Sequence, residues 1–249
     1  MIGAFEPAKT VFYALLLAFV ILFFGGNIAA LLPALLLILA SHGFESFHRA
    51  DVNRVYGKAP PDRTAVFRVS LFLAVLAAAF SFYFGFSYWY VLIVALAFAG
   101  SYLSSRYQFA SDFLLSLIYP ALMVLHSADR TLLAPVYWFV FFQELASRSV
   151  VQLSRPFGME NLNLPQILGP EGAANFVLVL ECLSALWPVL MARYVLGLPF
   201  FAFSLSAMVL AAAVYALAVS HIERSGLLLR VSSLIFLLSL WLSLMGSGF

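Results

Sequence analysis

Continuous apolar runs separated by short polar stretches fill this chain, and the runs lack the strict alternation of membrane strands. Runs of that kind form helices in lipid, where each backbone N–H and C=O must be paired within its own segment. The pattern predicts nine helices, over about 11–25, 27–42, 69–86, 88–104, 113–127, 131–147, 172–192, 196–220 and 226–246. Several fall short of the roughly 20 residues that cross a bilayer upright. Gly25-Gly26-Asn27, between the first two, would also suit a shallow re-entrant hairpin. The expected fold is all-α: a polytopic membrane protein of one transmembrane domain over 1–249.

Composition strengthens this picture. Of the 249 residues, 64% are hydrophobic and 10% charged, and the mean hydropathy is +1.03. A soluble domain averages about 45–50% apolar and about 25% charged residues. A core of this size cannot hide the excess from water, so lipid must solvate most of it. Soluble enzymes, nucleic-acid binders, disulfide scaffolds and disordered tails are excluded together. The lone Cys182 lies in an apolar stretch and reads as a buried small hydrophobe.

The cations fix an orientation. With the N-terminus in the cytoplasm, the inside loops carry Lys9, Arg49, Arg54, Lys58, Arg63, Arg68, Arg106, Arg148, Arg155, Arg224 and Arg230, and the outside loops carry Arg130 and Arg193. Such a positive-inside bias emerges only if the parity of the spans is right. Tyr88-Trp89-Tyr90 and Tyr137-Trp138 then fall at outer helix ends, as an interfacial aromatic belt would.

Two cytoplasmic loops, 43–68 and 148–171, hold most of the polar residues. Their matched positions, four spans apart, suggest two halves sharing one site. If the second span continues as a helix, about 100° per residue puts His42, Glu45 and Arg49 on one face and turns His48 and Asp51 away. A metal site of all these residues on one helix is therefore geometrically poor, and a Glu45–Arg49 pair at i,i+4 is the plainer reading. If the sixth span runs on to about Arg155, Glu144, Arg148 and Arg155 share a face, and Pro156 and Gly158 end the helix. Glu144 would then sit at the membrane boundary, where an ionisable group is costly unless it faces an aqueous cavity.

Further along, Asn163-Leu164-Pro165-Gln166-Ile167-Leu168-Gly169, followed by Ala173-Ala174, is similar to the Thr-Leu-Pro-x-x-x-Gly stretch that leads into the seventh helix of the UbiA superfamily of intramembrane prenyltransferases. Tyr102 to Phe109 is similar to that superfamily's Tyr-Ser-x-x-Leu-Lys segment. With nine helices, an inside N-terminus and polar loops after spans two and six, the resemblance covers nearly the whole chain and implies a helical bundle around a central lipid-accessible cavity. It implies transfer of an isoprenyl group from its diphosphate to a lipophilic acceptor, the diphosphate being held by Mg²⁺ on two aspartate-rich motifs.

This chain departs from both motifs. The first falls on Ser41-His42-x-x-Glu45 or on Phe47-His48-x-x-Asp51, and either register leaves one carboxylate. The second falls on Gln152 and on Arg155 or Pro156, with no carboxylate. The resemblance thus assigns Glu45 or Asp51 to a metal ion or proton, and Glu45, Asp51 and Glu144 to catalysis. The diphosphate goes to Arg49, Arg54, Lys58, Arg63, Arg148, Gln152 and Arg155, whose cations would take over charge that lost aspartates leave to no Mg²⁺. Guanidinium forks match phosphate oxygens in pairs. The expected partners are an isoprenyl diphosphate or polyprenyl lipid and the membrane lipids, with no nucleic acid. The alternative is a catalytically inactive homologue that binds an isoprenoid lipid or a partner membrane protein. A transporter is disfavoured because charges in the middle of spans are almost absent.

Overall fold

A computed structural model describes residues 7–23, 27–50, 62–85, 89–104, 106–126, 130–153, 163–193 and 198–246. Among them the regular structure is helical: α1 (Pro7–Phe23), a short 3-10 turn (Ile28–Ala30) running into α2 (Leu31–His48), α3 (Arg63–Tyr83), α4 (Trp89–Leu103), α5 (Gln108–Ser116), α6 (Ile118–His126), α7 (Arg130–Leu153), α8 (Leu164–Ala192), α9 (Leu198–Ala218) and α10 (Ile222–Gly246). Each predicted span overlaps helix among the described residues, and the one over 113–127 is split between α5 and α6. Among the described residues six stretches are long and apolar enough to cross a membrane, where nine crossings were expected: Ile28–His48, Arg63–Tyr83, Gln108–His126, Leu164–Ala192, Pro199–Ala218 and Ile222–Ser243. Pro7–Leu22 and Trp89–Leu103 are apolar but shorter.

The polar stretches begin inside helices. Helix α2 continues to His48 and α3 starts at Arg63, where Asp62 accepts the Ala65 N–H at 2.9 Å and so caps the first turn. Likewise α7 runs to Leu153 and α8 begins at Leu164.

The chain divides into two compact units, one holding α1–α6 and the other α7–α10. In the first, α3 turns Val66, Ser70, Ala74, Ala77 and Ser81 inward, a seam of mostly small residues, while Phe72 and Val75 stay exposed. Small residues let helix backbones approach where lipid supplies no hydrophobic drive for association, and the exposed apolar side chains face the lipid instead. Ala40 and Phe44 of α2 and Ala74 of α3 form the packed centre of that contact, with Phe67, Leu73 and Val94 against it. Gly100 of α4 serves the same end, since a Cβ there would lie 3.1 Å from the Leu115 side chain.

In the second unit, α9 and α10 join through Ser206 and Ser232, whose hydroxyls lie 3.0 Å apart. Phe236 stacks on Phe139 of α7 at 3.8 Å between ring centroids and meets Phe203 of α9 edge-on at 5.4 Å. Two expectations about surface and interior are corrected. Cys182 is exposed rather than buried, because an apolar neighbourhood does not mark the inside of a protein solvated by lipid. Tyr90 is fully buried, not part of an interfacial belt, because its hydroxyl finds a partner in His126; Trp89 beside it is exposed.

Candidate functional site

Each of the two units holds its own charged cluster. In the first, the predicted register of α2 is the one observed. Glu45 and Arg49 pair one turn apart, Arg49 Nη1 lying 2.7 Å from Glu45 Oε1. The second terminal nitrogen of the same guanidinium, Nη2, donates at 2.6 Å to Asp112 Oδ1 on α5. One arginine thus spans two carboxylates from two helices, and Asp112 is completely buried. His48 turns the other way, packing edge-on against the Phe98 and Tyr102 rings at 5.8 and 5.7 Å. Arg63, in the first turn of α3, lies over the Phe47 ring at 4.7 Å. Asp51, Arg54 and Lys58 lie outside the described residues.

His42, one helical turn before Glu45 on the same face, is also buried. Its Nδ1 lies 3.1 Å from Thr10 Oγ1 and its Nε2 lies 2.7 Å from the Tyr119 hydroxyl. A neutral imidazole offers one donor and one acceptor, and this pair of hydroxyls can serve both. Tyr119 in turn stacks on Tyr13, ring centroids 3.5 Å apart. Along α5 and α6, Asp112, Tyr119 and His126 recur every seventh residue, and each meets a polar side chain from another helix: Arg49, His42 and Tyr90.

In the second unit, Arg148 Nε donates to Glu144 Oε1 at 2.6 Å, both groups almost fully buried. Gln152 is buried one turn further on, and its side-chain oxygen accepts the Leu164 N–H at 2.6 Å. That bond satisfies one of the open donors at the start of α8. Asn163 and Gln166 satisfy others through a reciprocal capping box, with Pro165 in the first turn. Arg155 lies outside the described residues.

The segment that resembled Thr-Leu-Pro-x-x-x-Gly is therefore a capped helix start. It ends at a kink where Gly169 adopts φ 73° and ψ 165°, a conformation essentially restricted to glycine. Pro170 then opens the straight part of α8. Gly169→Ala should lower stability by about 1–3 kcal/mol through backbone strain alone, since a Cβ there meets no atom. Thermal unfolding in detergent measures it.

Sequence reasoning passed over Asp112 and Glu181. Asp112 falls just before a predicted span, where a charge looks solvated; the sevenfold spacing to Tyr119 and His126 was the signal for an inward face. Glu181, contrary to the expectation of spans almost free of internal charge, is fully buried within α8, where it accepts a 2.6 Å bond from the Ser225 hydroxyl of α10. The helix is regular there, its non-helical residue being Gly169, so Glu181 lacks the broken backbone typical of midplane transport sites.

The Mg²⁺ implied by the resemblance needs oxygen ligands in numbers. Among the described residues no group of three or more His, Cys, Asp or Glu side chains is placed to hold a metal ion. Glu45 and Asp112 converge on Arg49, and Glu144 on Arg148. Among the described residues, then, the donor set does not fit the metal; Asp51 lies outside them.

No family model and no curated protein matches the sequence. Solved structures do match in fold. A UbiA homologue from Aeropyrum pernix K1 aligns over 95% of this chain and 98% of its own, at 12% identity and a TM-score of 0.72. A digeranylgeranylglyceryl phosphate synthase aligns over 95% of this chain and 92% of its own, at 11% identity and a TM-score of 0.68. The chain is an all-helical membrane protein by class. Its fold is that of the UbiA-type intramembrane prenyltransferases.

Proposed function

We propose that this protein transfers an isoprenyl group from its diphosphate to a lipophilic acceptor, and that protein cations replace metal ions at the headgroup. The observation that carries this reading is the pair of buried glutamate–arginine clusters at the ends of α2 and α7, in a chain with the UbiA-type fold. These are the places where the resemblance puts diphosphate chemistry. The resemblance gives the headgroup Arg49, Arg54, Lys58 and Arg63 from the first polar stretch of the sequence and Arg148 and Arg155 from the second. The N-terminus and both polar loops belong on the cytoplasmic side, where a diphosphate reaches them from water while its chain stays in lipid. Glu45 and Glu144 fix the arginines beside them, which is a positioning role. Gln152 caps the start of α8 through the Leu164 N–H.

The reaction breaks the C–O bond to the diphosphate, which leaves with the electron pair, and the allylic cation is captured by the acceptor, which then loses a proton. Its test is release of inorganic diphosphate from geranylgeranyl diphosphate by protein in liposomes of mixed prenyl acceptors. Release matched by a prenylated lipid is the expected result. An Arg54→Gln, Lys58→Gln, Arg63→Gln variant should lose substrate affinity about tenfold or more, since one charge-assisted contact is worth about 1.5–3 kcal/mol.

The second reading is a catalytically inactive homologue that binds an isoprenoid lipid or a partner membrane protein. One observation favours it: each described carboxylate of the two clusters already pairs with an arginine. Binding of the diphosphate without its release is the outcome that would select it.

A further inference from the structure

We infer that Glu181 is a proton-binding site inside the membrane-spanning part of the second unit, its carboxyl held as the neutral acid. Glu181 is completely buried within α8. Ser225 of α10 donates to its Oε1 at 2.6 Å, and its Oε2 has no hydrogen-bond partner among the described residues. As a carboxylate it would place a full negative charge in an apolar bundle with one donor to answer it. A charge buried without a counter-ion is so costly that a proton neutralises the group instead.

Among the described residues the surrounding helices supply no such counter-ion. Glu171 of α8 and Glu223, Arg224 and Arg230 of α10 are exposed, while Glu144 and Arg148 of α7 pair with each other. Helix α9 carries no charged residue, and its Tyr215 is exposed; Tyr137 of α7 is half-buried beside Trp138. Gln143 of α7 points to the same conclusion. It is buried, and its Nε2 donates at 2.7 Å to the Leu229 carbonyl of α10, one turn on from Ser225 and so on the same face of that helix. Its Oε1 is left without a donor among the described residues. Where α7 and α8 meet α10, two buried oxygens thus lack a donor, Glu181 Oε2 and Gln143 Oε1. A carboxylic acid brings an O–H donor to this contact, whereas a carboxylate brings only acceptors. This inference does not depend on the proposed reaction, and its test contains no isoprenoid.

The test is the infrared spectrum of the whole protein in detergent at neutral pH, in choline chloride and then in sodium chloride. The C=O stretch of a protonated carboxyl stands apart from the amide and carboxylate bands. The wild type should show that band in both salts, and Glu181→Gln, a neutral side chain of the same size, should lose it while folding normally. If the glutamine variant does not fold, Ser225→Ala keeps the acid and should raise the frequency of the band, because the carbonyl loses its hydrogen bond. No protonated-carboxyl band in the wild type would overturn the inference. So would a band that folded Glu181→Gln retains, or, where that variant does not fold, one that Ser225→Ala leaves unmoved. A band abolished by Na⁺ at fixed pH would overturn it as well, since a metal cation would then be the counter-ion of Glu181.

Discussion

Arg148→Ala should destabilise the protein by about 3–5 kcal/mol, the usual result of stripping one partner from a buried ion pair. The pair lies in a fully packed part of α7: Glu144 and Arg148 are both buried, as are Leu145, Ala146, Ser149 and Val150 between and after them. Glu144 is 3% exposed, so little water replaces the 2.6 Å bond from Arg148 Nε. The penalty therefore comes from the carboxylate left behind more than from the attraction lost. A Glu144→Gln, Arg148→Met double variant removes both charges at similar volume and should recover most of the stability, since apolar replacement of a whole buried pair is often neutral. Thermal unfolding of the two variants side by side measures the difference. If the double variant were as unstable as the single one, packing rather than charge would hold this helix.

Phe236→Ala is the second large effect expected. Phe236 is fully buried, stacked on Phe139 at 3.8 Å and edge-on to Phe203 at 5.4 Å. It thereby joins α10 to both α7 and α9. In a soluble core such a truncation costs about 3–5 kcal/mol, of which part is transfer from water and part is the cavity left behind. Lipid is as apolar as the side chain, so only the packing part applies here, and the loss should lie at or below the lower end of that range. Phe236→Leu, which fills more of the space, should lose less. Phe201→Ala on the exposed face of α9 should change little, because lipid takes the place of the ring.

How much of this was legible in the sequence follows from what each signal measures. Hydropathy located the apolar helical stretches, because lipid imposes the same demand along the whole length of a segment, but it merged α5 and α6 into one. It did not place the ends: α2 and α7 continue into polar residues, since a helix can leave the apolar layer without unwinding. The register of α2 was legible, because 3.6 residues per turn fix which way His42, Glu45, Arg49 and His48 point once the helix is known to continue. Asp112 was not. Its partner Arg49 is 63 positions away, and a charge next to an apolar run looks solvated when only its neighbours in sequence are visible. Burial was the least legible property, as Cys182 and Tyr90 show in opposite senses. In lipid an apolar residue gains little by turning inward, so sequence polarity stops predicting the interior, and a buried tyrosine is explained only by the histidine that meets it.

The central claim is that an isoprenyl diphosphate is held by cations of the protein and not by metal. Its most direct test is equilibrium binding of geranylgeranyl diphosphate to the purified protein in detergent, first with Mg²⁺ and then with EDTA. The account predicts the same affinity in both, falling steeply as salt screens the cationic groups. Binding that disappears with EDTA, or no binding in either condition, would contradict it.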